Sequence, residues 1–229
     1  MEKEKKIIVA IPTCFSSRIP MLIQVVESIQ VGEYKNVHIV VVADGNLDIF
    51  ETVGTYFENK ESENVTIILN KERKDWVFSV NRVLKEFNSD FYIYAADDLF
   101  FPPACIKYAM IKMGERFPDG VGVVSIGKKH RCAFGLFGHK FVECFPDRQV
   151  FCPDYVHYGS DTELWRTVSK LERFAFIAHR PSSVNHKRIK DETWRLAEEN
   201  RTRDQAIFYQ REEMGLNWGI DFKLIEEND

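Results

Sequence analysis

Apolar residues in the first half of the chain cluster in short unbroken runs instead of alternating with polar ones. KIIVAIP (6–12), VHIVVVADG (37–45) and VTIIL (65–69) are β-branched and too short for helices. Runs of this kind predict strands covered on both faces, as in a parallel sheet. Between them the period becomes helical. IPMLIQVVESIQ places Leu22, Val25, Val26 and Ile29 on one side, with Ser17 as the cap and Pro20 in the first turn. IFETVGTYFEN (49–59), DWVFSVNRVLKEF (75–87) and ACIKYAMIKMGERF (104–117) predict further helices, and FYIYAA (91–96) and VGVVSI (121–126) further strands. This alternation predicts an α/β fold, a mostly parallel central sheet with helices on both faces.

After residue 127 the alternation is lost, and Gly, Phe, Cys and basic residues lead up to CPDYVHYG. SDTELWRTVSKL (160–171) then predicts a helix capped by Ser160 or Asp161, FAFIAH (174–179) a sixth strand, and residues 191–215 a long polar terminal helix. No repeat, low-complexity segment or linker interrupts the chain, so residues 1–229 are expected to form one domain.

Composition narrows the setting. With 45% hydrophobic residues, 229 positions suffice for one sizeable core. No apolar run reaches the roughly 18 residues that span a bilayer, and the N-terminus lacks the features of a signal peptide, so a soluble, cytoplasmic protein is expected. Five cysteines without any C-x-x-C fit reduced thiols. The formal net charge is −4, yet residues 128–190 hold twelve Lys/Arg against six Asp/Glu, and five of the six histidines. That block reads either as a solvated face or as a surface facing phosphates.

The chemistry concentrates where strands end. In open α/β sheets ligands bind beyond the carboxyl ends of the strands. The first strand runs into IPTCFSSR, the second ends at Asp44, and the fourth, YIYAADDLFFPP, runs into Asp97 and Asp98. Adjacent carboxylates repel each other, and a cation beside them relieves the cost. A divalent metal, Mn2+ or Mg2+, holding a substrate diphosphate is the expected occupant. The plainer alternative is an Asp-rich turn before a helix.

In this order the motifs resemble the family 2 glycosyltransferases of the GT-A fold. VAIPTCFSSRIPMLIQVVESI is similar to the family's opening strand and helix, which implies that Pro12 and Thr13 lie by the nucleotide. IVVVADGN resembles its second strand, giving Asp44 a contact to the base. ERKDWVFSVNRVLKEFNSDFYIYAADDLFFPP resembles the stretch from a basic nucleotide contact, Arg73 or Lys74, to the D-x-D-type metal motif. There Asp98 would hold the metal and Asp97 would lie near the ribose or diphosphate, with Ala96 where the family's first motif carboxylate stands. YGSDTELWRTV is similar to the E-D-x-E-L-W-x-R segment of the acceptor site, with Ser160 replacing Glu, which makes Asp161 the catalytic base. SVNHKR resembles a late segment supplying a second metal ligand, here His186. The resemblance divides the chain into a nucleotide-sugar-binding half (1–127) and an acceptor-binding half with the C-terminal helix (128–229).

The implied function is metal-dependent transfer of a sugar from a nucleotide-sugar donor, a UDP-sugar in the first instance, to an acceptor hydroxyl with inversion. A glycan, a lipid-linked sugar or a protein would serve as acceptor, and the basic block also admits a nucleic-acid base. Plainer readings stand beside the site residues: Asp161 as a simple N-cap, His186 as a surface histidine. His130, Cys132, His139, Cys144, Cys152 and His157 lack the close spacing of structural zinc sites. Phe134, Phe137, Phe141, Tyr158 and Trp165 fit core or pocket wall better than a stacking platform for single strands. A nucleotidyltransferase would open with a Gly-rich loop, which IPTCFSSRIP is not. A non-catalytic binding module would have no need for Asp98, Asp161 and His186 together, and a glycoside hydrolase none for Asp44.

Overall fold

A computed structural model describes residues 4–127, 129–178, 183–187 and 189–219. The apolar runs fold where their pattern places them. In chain order come β1 (Ile7–Thr13), α1 (Ile19–Gln30), β2 (Val37–Asp44), α2 (Leu47–Asn59), β3 (Val65–Asn70), α3 (Asp75–Glu86), β4 (Phe91–Tyr94), β5 (Leu99–Phe100), α4 (Cys105–Arg116) and β6 (Val123–Ser125). The second half adds β7 (Gly135–Gly138), the short α5 (His139–Glu143), α6 (Ser160–Lys170), β8 (Phe174–Phe176), β9 (Asn185–His186) and α7 (Glu192–Glu213).

Seven strands form one sheet in the order β3-β2-β1-β4-β7-β6-β8, parallel except for β7, which runs antiparallel to both neighbours. β5 and β9 make a separate antiparallel pair. Side chains alternate across the sheet, so Ile7, Val9 and Ile11 meet α1, α2 and α4 on one face. Ile8 and Ala10 pack with α3, α5 and α6 on the other. Both layers are apolar because each helix buries one stripe; each fully buried Val, Leu or Ile is worth roughly 1.5–3 kcal/mol.

Several details differ from the sequence reading. Ser17 does not cap α1: it lies in a 3-10 turn (Ser16–Arg18), and Arg18 occupies the N-cap position without a side-chain cap bond. Neither Ser160 nor Asp161 caps α6, whose N-cap is Gly159. The strand expected over 174–179 ends at Phe176, and residue 179 lies outside the described residues, as do the basic residues 128, 180 and 188. β7 escaped the reading because GLFG is four residues long with glycine at both ends, leaving no period to detect. β5 and β9, two residues each, exist only as partners of one another.

The register sets the site. Thr13 stands opposite Ala43, and Ala10 opposite Tyr94, so β1, β2 and β4 deliver their carboxyl ends to one edge of the sheet. Thr13, Asp44 and the Asp97–Asp98 pair are thereby gathered there.

Candidate active site

A cleft of about 660 Å3 opens at that edge, lined by Thr13, Asp44, Asp97 and Asp98 from the sheet side, His186, and Asp161 from α6. The two adjacent carboxylates are buried, and an internal cation lies against them. The Arg18 guanidinium, 3% exposed, donates from Nη1 to Asp97 Oδ1 at 2.7 Å and lies 3.3 Å from Asp98 Oδ2. Its other edge faces Asp191, Nε to Oδ2 at 2.5 Å and Nη2 to Oδ1 at 2.8 Å. Thr13 Oγ1 donates to Asp97 Oδ2 at 2.7 Å. Sequence reading missed Arg18: its only signal was an arginine in a turn of small polar residues at a strand end.

One guanidinium among three carboxylates leaves an excess of negative charge. Burial pushes the Asp97 carboxyl up to about 6, against the pull of Arg18 and Thr13. Burial also works to raise Asp98, but His186 and Arg18 outweigh it and hold that carboxyl below its ordinary value. Asp98 is therefore the better anion for a metal. His186 Nε2 lies 3.1 Å from Asp98 Oδ1. Two adjacent ligands at about 2.1 Å from one ion are roughly 3 Å apart, so this pair fits a divalent cation. Among the described residues no group of three or more His, Cys, Asp or Glu converges, so the remaining positions would fall to substrate oxygens and water, as is usual for Mg2+-type sites. Among the described residues no such group gathers in the cysteine and histidine segment 130–157 either, and all five cysteines are free thiols.

Asp44 is engaged from three directions. Oδ1 accepts from Asn70 Nδ2 at 2.7 Å and from the Lys74 N–H at 2.9 Å, and Oδ2 from the Asp75 N–H at 2.8 Å. A carboxylate has about four lone-pair sites, so one remains for a ligand N–H. Arg73 and Lys74, expected as basic contacts, spend their side chains elsewhere: Arg73 on Asp75, Lys74 on Glu72. Neither side chain lines the cleft; Lys74 acts through its backbone. The close approach depends on Gly45, at φ +71°, where a Cβ would come within 2.5 Å of the Arg73 nitrogen. Asp75 and Trp76, which do line the cleft, were not singled out from the sequence. Trp76 stacks on Tyr94 at 5.5 Å and donates from Nε1 to the His157 carbonyl at 2.7 Å.

Asp161 is the second residue of α6 and faces the same cleft, so the simple N-cap reading is removed. The turn into α6 passes through Gly159 at φ +90°, a conformation open to glycine. The segment just before it is anchored by Asp204 of α7, fully buried, which accepts from the N–H groups of Val156, His157 and Tyr158 at 3.1, 2.7 and 2.7 Å. Of the aromatics, Phe137 and Phe141 are core, Phe134 and Tyr158 pocket wall, and Trp165 packs at the core's margin. Among the described residues no helix is long and apolar enough to cross a membrane.

Comparison with known proteins matches this arrangement to a family. The glycosyl transferase family 2 model matches residues 8–135, more than half of the chain. No curated protein matches the sequence. Among solved structures, the mannosyltransferase PcManGT from Pyrobaculum calidifontis, in complex with GDP-Man and Mn2+, superposes with a TM-score of 0.72 at 15% identity, over 93% of this chain and 65% of that one. TarS 1-349 of S. aureus, in complex with UDP-GlcNAc, gives 0.63 at 13% identity, over 82% of this chain and 60% of that one. The chain thus spans less than two thirds of the length of these structures, and at such identities the likeness is one of fold. The chain belongs to the family 2 glycosyltransferases and carries their GT-A fold.

Proposed function

We propose that the protein is a metal-dependent, inverting glycosyltransferase that moves a sugar from a nucleotide-sugar donor, a UDP-sugar in the first instance, to an acceptor hydroxyl. One observation carries this reading: the buried pair Asp97–Asp98, with His186, and the carboxylate Asp161 open into a single cleft at the sheet's ligand edge. Asp44, through its remaining lone pair, accepts an N–H of the base, as uracil or guanine would offer. Pro12 and Thr13 floor the nucleotide site. Asp98 and His186 are the protein groups that would hold Mn2+ or Mg2+, and the bound cation would neutralise charge on the departing diphosphate. PcManGT, solved with GDP-Man and Mn2+, and TarS, solved with UDP-GlcNAc, support the donor class.

Asp161 takes the proton of the acceptor hydroxyl as its oxygen bonds to the anomeric carbon. The bond from that carbon to the diphosphate oxygen breaks on the opposite face, which inverts the centre and releases the nucleoside diphosphate. General-base assistance of this kind is worth about 100- to 10,000-fold.

Titration calorimetry with UDP, GDP, CDP and ADP, each with and without Mn2+, tests the reading. Metal-dependent binding of one nucleotide by wild type, lost in Asp98→Asn and kept in Asp161→Asn, is the expected result. Unchanged binding in Asp98→Asn would remove its role, and no binding by folded wild type would favour a non-catalytic module.

A further inference from the structure

Helix α7 has little hydrophobic reason to be where it is. Over 22 residues it buries only Ala197 and Asp204, with Ile207 and Phe208 half-buried against the core. A helix with so small an apolar stripe takes its position from polar attachments. Two of these attachments reach the two chemical ends of the cleft.

The first is Asp191, which caps the helix by accepting from the Trp194 N–H at 3.2 Å and occupies both Nε and Nη2 of Arg18. Nη1 faces the carboxylate pair and donates to Asp97, with Asp98 Oδ2 farther off at 3.3 Å. Asp98 Oδ1 faces His186 instead. Asp191 thus turns the arginine so that it steadies Asp97 without covering the oxygen of Asp98 that a cation needs. The second attachment is Asp204, 13 residues further and about 20 Å along a helix rising about 1.5 Å per residue. It gathers the N–H groups of residues 156–158, immediately before the Gly159 turn that presents Asp161. Between these anchors Thr193, Trp194, Ala197 and Arg201 form one wall of the cleft. The matched family segment ends at residue 135, well before this helix.

We propose that α7 is a spacer fixing the span between the cation end and the base end of the cleft, with Asp191 and Asp204 as positioning residues that act separately on the two ends. The inference rests on the glycosyltransferase reading above. Asp191→Asn removes the charge that draws Arg18 aside, so the guanidinium competes with the metal for Asp98. Asp204→Asn loosens 156–158 and displaces Asp161 while leaving the nucleotide side in place.

The test uses the full chain, UDP and GDP with MnCl2, and the corresponding sugar nucleotides with water as the acceptor, so that Asp161 takes a water proton and free sugar and nucleoside diphosphate are formed. Asp191→Asn should weaken Mn2+-dependent nucleotide binding about tenfold or more, the order expected for a lost charged partner. The electron paramagnetic resonance signal of unbound Mn2+ should rise in parallel, and Asp191→Glu should restore both. Asp204→Asn should keep wild-type nucleotide affinity, which also certifies its fold, and lose about tenfold or more of the hydrolysis rate at saturating donor. Wild-type Mn2+ and nucleotide affinity in Asp191→Asn would overturn the inference while leaving the glycosyltransferase reading intact. So would joint loss of binding and hydrolysis in Asp204→Asn. Failure of wild type to bind any nucleotide would remove the underlying reading and the inference with it.

Discussion

Asp44 is as much a structural residue as a ligand-facing one. Its carboxylate closes a buried network in which Asn70 also donates to Ser79 Oγ at 3.0 Å and accepts from Arg82 Nη1 at 2.6 Å. Asp44→Ala would leave one N–H of the Asn70 amide and two backbone N–H groups without their acceptor, and should cost about 3 kcal/mol in urea denaturation. A loss within about 0.5 kcal/mol, the scatter of neutral surface changes, would mean that the network is not held by this residue. The same scale explains what sequence could tell. Asp44, Asp97 and Asp98 stood out as candidates because strand ends and like charges are local features, whereas Asp161 and His186 were singled out only through the resemblance of their segments to the family's. Arg18 was not, because nothing near residue 18 announces a partner at 191. Nor could sequence reveal that Lys74 contributes its N–H while its ammonium goes to Glu72.

The turn into α6 is the element on which the placement of the proposed base, Asp161, depends. At Gly159 a side chain would need φ near +90°, and its Cβ would lie 2.9 Å from the Tyr155 ring. Gly159→Ala should cost about 1–3 kcal/mol of strain, and because it moves the start of α6 it should lower donor hydrolysis while metal-dependent nucleotide binding is kept. Thermal melting and nucleotide titration on the same sample separate the two effects; wild-type hydrolysis in the variant would show that Asp161 is not placed by this turn. At this scale the first half of the chain was legible: α1 and the three opening strands follow from period and β-branching, which are stretch-wide signals. The helix caps and β7 were not. A cap is set by the residue that stands just ahead of the first helical one, and at α1 and α6 those are Arg18 and Gly159, not the nearby serines. β7 gains its place from β4 and β6 on either side, a tertiary reason that four residues cannot carry.

For the whole molecule, charge distribution bears on the acceptor. The basic excess of residues 128–190 read either as a solvated face or as a phosphate-facing surface, and several of its cations are paired. Arg148 meets Glu143, Arg166 meets Glu212 and Arg173 meets Asp119. Lys187 reaches Gln24, and Arg201, further along α7, meets Glu198. Exposed cations lining the cleft without a carboxylate partner among the described residues are Arg131 and Lys190, the latter over the Trp194 ring. Two phosphate contacts would lower affinity by roughly tenfold between 50 and 200 mM salt, whereas a surface making 6–10 such contacts would lose about 10³–10⁵. Fluorescence anisotropy with a labelled DNA duplex at both salt concentrations should therefore show weak binding with at most a shallow salt slope, further reduced in an Arg131→Ala, Lys190→Ala double variant. A steep slope would support the nucleic-acid acceptor. A shallow one directs the search for the acceptor toward glycans, lipid-linked sugars and proteins, whose hydroxyls need the aromatic wall of Phe134, Tyr158 and Trp194 more than a field of positive charge.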